Sequence, residues 1–417
     1  MRRVLLRARC GGSQGIRATH LFLLWLVVLL ASWIFYIHYS SHSDLCRATT
    51  CALFTCDQYH KGVIAGSACR SLCDDHSLQF HHCLSTRPSR QVYTGVWGKA
   101  PVVIRCGLSQ ALGDKGRELS LNHKTSPYRH PSKGTSIDEF RTMLIDFLKS
   151  RLGEVTNLQD LAQRHLSLAD ADRDGQVSLA EAKSLWALAH RDDFLLLVAL
   201  RGTEHTPRLL GFCGDTFVTE YIRDGGLYGV PRLLDALAPA GLSRVFQGWF
   251  GPAWPHRARI AIGLLEFTEE VFHGSSGSFL LCEATPDIVA RTDRHDAKVT
   301  GLHGIAPEAS IRADLAARHC EAHTDCLFGS ACHASCDRLA QRCLPDSLEP
   351  NLPRICRLLQ DYLIDDCPME VRDELKRQLG VCTALRGGRT RLELHHSLVL
   401  NGVKALLWKQ ISNAKDS

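Results

Sequence analysis

Cysteine placement constrains this chain more than any other feature. Of its 18 cysteines, only Cys10 precedes an uncharged apolar run at residues 21–37, LFLLWLVVLLASWIFYI, and the other 17 come after it. Thiols in that number persist as disulfides only in an oxidising compartment, so the bulk of the chain is expected to fold outside the cytosol. The apolar run supplies the route. Arg2, Arg3, Arg7, Arg9 and Arg17 lie before it, and that basic flank holds the N-terminus on the cytosolic side. Counted over residues 19–39, the segment comes near the roughly 20 residues needed to cross a bilayer, and its length suits the thinner membrane of the early secretory pathway. No small-x-small cleavage site lies beyond it, so the run reads as an uncleaved signal anchor. The expected topology is single-pass type II in the endoplasmic reticulum membrane, with a basic cytosolic tail at residues 1–18 and the rest lumenal.

The lumenal cysteines form two clusters. Cys46, Cys51, Cys56, Cys69, Cys73 and Cys83 make one; Cys320, Cys326, Cys332, Cys336, Cys343, Cys356, Cys367 and Cys382 make the other. Cys106, Cys213 and Cys282 lie between them, which leaves at least one thiol unpaired. Neither cluster has paired C-x-x-C units at zinc-finger spacing, so structural disulfides are expected, with connectivity open. Residues 40–90, cysteine-dense and poor in apolar periodicity, read as a stapled cap packed on the chain from residue 91 onward. No N-x-S/T sequon occurs. A hydrophobic fraction of 45% with 22% charged residues is ordinary globular composition. The net charge of +5 is spread rather than interleaved with aromatics, so nucleic acid is not an expected partner.

The sharpest local motif is DADRDGQVSLAE, residues 170–181. Asp170, Asp172 and Asp174 occupy loop positions 1, 3 and 5, Gly175 the sharp turn, Gln176 the backbone-carbonyl slot, Ser178 the water-bridged slot and Glu181 the bidentate position. A hard cation takes about 6–8 oxygens at short range, and such a turn brings alternate side chains inward. Leu158, Leu161, His165 and Leu168 before it, and Leu185, Trp186 and Leu188 after it, have helical apolar spacing. A helix-loop-helix that binds calcium is expected over about 156–190. A merely solvated acidic turn would not need every slot and the glycine together.

Elsewhere, residues 92–106 read as strand, turn, strand, and 137–152 as a helix through Phe140, Leu144, Phe147 and Leu148. Residues 193–200 open acidic and become apolar, a buried helix end. Residues 208–213 and 216–222 make two strands about a Gly-Asp turn. Ile260, Leu264, Phe267 and Val271 stripe a helix that ends at Gly274. A short strand at 278–282 and another run at 297–302 come next, then helical periods near 358–363, 371–379 and 398–408.

The stretch H-x-P-x-L-x-G-F-C-x-D-x-x-x-T-E-Y, from His205 to Tyr221, resembles the fourth and fifth strands of a eukaryotic protein kinase running into its hinge. With the anchor, the cysteine cap, the inserted calcium unit and the cysteine-rich tail, the whole chain resembles the divergent protein kinase domain 1 family of the endoplasmic reticulum membrane. That resemblance implies an α+β, two-lobed kinase-like fold with an EF-hand-like insertion. The small lobe would span 91–230 and the large lobe 231–417, with the cysteine-rich segment at 320–382.

It also implies ATP with magnesium or manganese, and a set of positions for them. Gly95 and Gly98 would match the phosphate loop and Arg105 the third-strand lysine. Asp193, or alternatively Glu118, would stand for the helix acid. Glu283 would fall at the catalytic base, with Asp287 nearby, Ile288 at the magnesium-binding Asn and Gly301 at the second metal Asp. No carboxylate lies between Lys298 and Glu308. The leading expectation is therefore a catalytically impaired, calcium-responsive module binding an unidentified lumenal partner. An active atypical kinase using Arg105, Asp193, Glu283 and Asp287, and a calcium sensor or buffer on a kinase-like scaffold, are the rivals.

Overall fold

The computed structural model describes residues 20, 22–30, 32–33, 36, 48–85, 91–107, 130–170, 174–222, 226–230, 240–274, 276–329, 331–365, 367–385 and 389–415. Among them no helix is long and apolar enough to cross a membrane. The expected anchor lies partly outside the described residues, because 21, 31, 34, 35 and 37 are among the rest; residues 22–30 are helical, with Trp25 and Val27 exposed.

The small lobe is built on a five-stranded antiparallel sheet in the order β1-β2-β3-β5-β4. Its strands are β1 (Leu78–Ser85), β2 (Gln91–Trp97), β3 (Ala100–Cys106), β4 (Leu209–Cys213) and β5 (Thr216–Glu220). Alternation along β3 sorts its side chains between the two faces. Val102, Ile104 and Cys106 pack with Cys51, Leu72 and Cys73 of two cap helices, α1 (Ala48–His60) and α2 (Cys69–Cys73). Arg105 and its cross-strand neighbour Phe217 belong to the other face, where Phe194 meets Phe217 edge-on at 5.5 Å. The cap therefore roofs one face of the sheet and itself contributes β1, so the expected boundary near residue 90 cuts through a paired sheet rather than between domains.

Among the described residues, four helices separate β3 from β4: α3 (Ile137–Leu152), α4 (Leu158–Ala169), α5 (Leu179–Ala189) and α6 (Asp192–Ala199). Two of them begin at a cap the sequence supplies. Ser136 and Glu139 form a capping box at α3, and Ser178 and Glu181 form one at α5. The large lobe centres on α8 (Trp254–His273), which comes after α7 (Ala240–Phe250) and starts with Pro255 in its first turn. Ile260, Leu264, Phe267 and Val271 are 0% exposed, each contributing about 2 kcal/mol of apolar burial. On α8 pack α10 (Asn351–Ile364) and α12 (Arg389–Lys415), and α11 (Met369–Thr383) packs against those two, all three longer than their sequence periods suggest. Short hairpins β6–β9 (Phe279–Leu281 with Ile305–Pro307) and β7–β8 (Val289–Arg291 with Ala297–Val299) line the junction with the small lobe, and α9 (Glu308–Ala316) leads into the cysteine-rich tail.

The two cysteine clusters do not close on themselves. Cys51–Cys106 and Cys69–Cys213 join the cap to β3 and β4, and Cys282–Cys332 joins the end of β6 to the tail. Cys56–Cys73, Cys320–Cys336, Cys326–Cys343 and Cys356–Cys382 are local, and Cys367 is a buried free thiol. The Cys69–Cys213 bridge spans a sequence separation of 144, the kind of long loop whose closure constrains the unfolded chain most. Replacing Cys69 and Cys213 together by serine should cost about 2–5 kcal/mol in denaturant unfolding. A loss below about 1 kcal/mol would mean the cap is held by packing alone.

Candidate functional site

Two regions gather the chemistry-bearing residues. The first is the α4–α5 connection. Asp170 caps the end of α4, and its Oδ2 accepts from Gly175 N–H at 3.2 Å; Asp174 Oδ1 accepts from Gln176 N–H at 2.7 Å. Gly175 has φ +79° with open space where a Cβ would stand, so backbone conformation rather than crowding calls for glycine there. Glu181 is only 5% exposed, and its Oε2 accepts from the Ser178 N–H at 2.8 Å and the Ser178 hydroxyl at 2.9 Å. Among the described residues, Asp170 Oδ1 is buried with no hydrogen-bond partner. A buried carboxylate oxygen left bare is costly unless a cation meets it. Asp170, Asp174, Gln176, Ser178 and Glu181 thus lie along one connection, but the carboxylate oxygens of Asp170, Asp174 and Glu181 do not gather within 4.8 Å of one another; Asp172 lies outside the described residues.

That turn is wired to the sheet. Helix α5 ends at His190, and the next residue, Arg191, caps α6. Its guanidinium takes both oxygens of Asp193, at 3.1 and 2.9 Å, and donates to the Asp215 carbonyl at 2.9 Å and the Arg105 carbonyl at 3.4 Å. It also lies over the Phe217 ring, 4.7 Å from its centroid. Beneath, His165 of α4 is fully buried, its Nδ1 donating to the Leu161 carbonyl at 2.8 Å and its ring meeting Phe194 edge-on. Burial pulls its pKa down to about 4, only partly opposed by that hydrogen bond.

The second region is the cleft between lobes. Arg105, 5% exposed at the end of β3, reaches across it and donates Nη2 to the Thr300 carbonyl at 2.9 Å. Burial lowers its pKa, Asp193 opposes that, and Arg191 adds to it. Among the described residues, Arg105 Nε and, on the adjacent strand, Thr219 Oγ1 are buried without partners. At the hinge, Glu220 accepts from Arg208 at 3.0 Å and forms a short ion pair with Lys298 of β8.

Across the cleft, Ile288 and Gly301 are in contact. A Cβ at Gly301 would lie 2.6 Å from both Cβ and Cγ2 of Ile288, and the Thr300 and Gly301 N–H groups both donate to the Ile288 carbonyl, at 2.8 and 2.9 Å. Glu283 pairs loosely with His303 at 3.7 Å, and Gly304 packs so closely that a Cβ there would lie 2.8 Å from the Glu283 Cβ. Asp287 belongs to a single helical turn, Pro286–Ile288, just before β7. Glu283 and Asp287 thus flank the Ile288–Gly301 contact without a third carboxylate facing them from the strand at 297–301.

Two family models match this chain. One, described as the N-terminal cysteine-rich endoplasmic reticulum region of FAM69, covers residues 14–167; the other, described as the protein-kinase domain of FAM69, covers residues 185–385. The chain belongs to the FAM69 family. It is therefore a cysteine-rich, kinase-like protein of the secretory pathway, in the divergent kinase group that the His205–Tyr221 stretch resembled. The kinase match begins after β1–β3, yet β3 pairs directly with β5, so the two FAM69 segments share one sheet.

The geometry changes two expectations. Gly95 lies inside β2, where a Cβ would strike the Gln79 carbonyl at 2.3 Å, and Gly98, φ +64°, turns β2 into β3. Both owe their place to strand packing and turn geometry. Arg105 pairs with Val92 at the opposite end of these strands, so the two glycines do not join Arg105 at the cleft. The β1–β2 connection, where a kinase phosphate loop would run, is residues 86–90 and lies outside the described residues, as does Glu118.

A motif missed in sequence is Ala306-Pro307-Glu308, the A-P-E that closes a kinase activation segment. Glu308 is 4% exposed and bound by Arg312 at 2.7 Å. Only Leu302–Gly304, one 3-10 turn, and Ile305 separate Gly301 from it, and Ile305–Pro307 pairs with β6. The tripeptide was legible; its closeness to Gly301 hid it.

His165 has a depressed folded pKa, so its contribution is complete above its unfolded pKa near 6.5 and is lost as pH falls toward 4. His165→Leu should flatten the fall in unfolding free energy over that window, by a few kcal/mol at its acid end. Gly301→Ala should destabilise by about 1–3 kcal/mol through its clash with Ile288, and Ile288→Ala should relieve it in the double variant; additive losses would contradict the contact.

Proposed function

We propose that this FAM69 protein is a calcium-holding, kinase-like binding module of the endoplasmic reticulum lumen in which ordinary two-metal phosphoryl transfer is lost. The contact between Ile288 and Gly301 carries the reading. In a kinase, an Asn and an Asp at these two positions hold the magnesium ions that neutralise the transferring phosphate. Here one position is a branched hydrocarbon and the other has no room for a side chain. Glu283 and Asp287 remain nearby as carboxylates, without the metal pair they would act beside.

Calcium is supported by Asp170, Asp174 and Glu181 and by the bare oxygen of Asp170. Bound there, the ion supplies charge neutralisation and order. Its effect has a path: α5 runs through His190 into Arg191, whose hydrogen bonds reach Asp193 and the Arg105 carbonyl. The apolar run at 21–37 fits a type II anchor, which would leave the domain tethered to the membrane and facing a lumenal protein partner.

A second reading, nucleotide occupancy with or without transfer, is favoured by the partnerless Arg105 Nε and Thr219 Oγ1, two donors buried on one face of the sheet. Thermal titration of the full chain separates the readings. Calcium should raise the melting temperature and Glu181→Gln should abolish that rise, while ATP with magnesium or manganese should leave it unchanged. Stabilisation by ATP that requires the second metal, together with phosphoryl transfer lost on Glu283→Ala or Asp287→Ala, would make the protein an active kinase. A calcium response indifferent to Arg105→Ala would leave a calcium buffer.

A further inference from the structure

The connection from α6 to β4, residues 200–208, is where the small lobe is moored to the large one. The His205 carbonyl accepts from the Val299 N–H of β8 at 2.8 Å, and the His205 ring lies against α8. Gly263 of α8 makes room: a Cβ there would stand 3.6 Å from the His205 Cδ2 and 3.2 Å from Ala297.

Both ring nitrogens of His205 face carboxylates one helical turn apart on α8. Nδ1 is 3.1 Å from Glu270 Oε1, and Nε2 is 3.6 Å from Glu266 Oε2. A neutral imidazole carries one N–H and can serve only one of them, presenting a lone pair to the other. Only the imidazolium answers both. Among the described residues the second oxygen of Glu270 is buried without a hydrogen-bond partner, so its charge depends on what the ring provides. The remaining groups divide, with Glu204 favouring the imidazolium and Lys404 competing with it for Glu266. Glu204 adds a third acid beside the ring, and Lys404 of α12 is engaged by Glu266 at 3.2 Å and Glu269 at 3.8 Å. On β8, Lys298 is taken up by Glu220, which also holds Arg208.

We infer that His205 is a proton-operated clamp that tightens the mooring between the lobes as the surroundings acidify. Burial draws its pKa down, but the hydrogen bond and charge of Glu270, with the charges of Glu266 and Glu204, outweigh burial and leave it raised above 6.5. A raised folded pKa means stabilisation that is full below the unfolded value and fades as pH rises through the folded one. His165 acts oppositely, so the clamp is read as a difference between wild type and a His205 variant, in which the His165 contribution cancels.

The test uses the full chain in detergent with calcium present, compared with His205→Gln from about pH 7.5 to about pH 6. The wild-type advantage in melting temperature should widen by about 2 °C on acidification, and exchange at the Val299 amide, corrected for its intrinsic rate, should slow only in the wild type. Parallel pH profiles for the two proteins would overturn the inference. If His205→Gln does not fold, the His205 ring proton is followed by NMR in wild type and in Glu270→Gln: a titration above 6.5 that drops in the variant supports the clamp, and one at or below 6.5 in wild type refutes it.

Discussion

A guanidinium taken out of water keeps its charge, and the junction between the lobes is arranged around one that has been. Arg105 ends the central strand of the small lobe, is almost fully buried, and sends its fork to a backbone carbonyl in the large lobe. A lysine's compact ammonium would suit a phosphate; the planar fork suits a carbonyl held at fixed direction. Arg191 steadies the strand end that carries Arg105 and reinforces the depression of its pKa, so the two cations coexist only because Asp193 sits between them. Loss of that acid would leave two buried positive charges with little to answer them.

The large-lobe side of the junction is packed as tightly. Ile288 accepts two N–H groups through its carbonyl and fills the hollow left by Gly301, so the start of β7 and the segment after β8 are held together. Covalent bracing supports this. Cys282 lies beside Glu283 and is bonded to Cys332, and Arg354 donates to the Cys282 carbonyl at 3.2 Å. Residues that would line a reactive centre are fastened like a core.

Much of this was legible in the amino-acid order where spacing repeats. The α8 stripe and the pairing of 209–213 with 216–220 depend on short-range patterns that one helix face or one hairpin turn sets. The cap was harder to read. Helix α2 is short and both cap helices are held by cysteines, so apolar periodicity is weak, and β1 carries His81 and His82 on an irregular strand. The glycines misled because a two-glycine spacing fits a strand crossing and a turn as well as a phosphate loop. His205 was visible only as part of a motif; its acids sit on α8, and only the packed fold puts them on either side of one ring.

The step from Gly301 to Ala306-Pro307-Glu308 reaches beyond the cleft. Protein kinases commonly place between these points a loop long enough to accept a phosphate from an upstream enzyme and to cradle an incoming polypeptide. One tight turn and a paired strand occupy that interval here. Residues 302–305 hold no Ser, Thr or Tyr, so this short interval offers no hydroxyl to phosphorylate and no loop long enough to cradle a polypeptide.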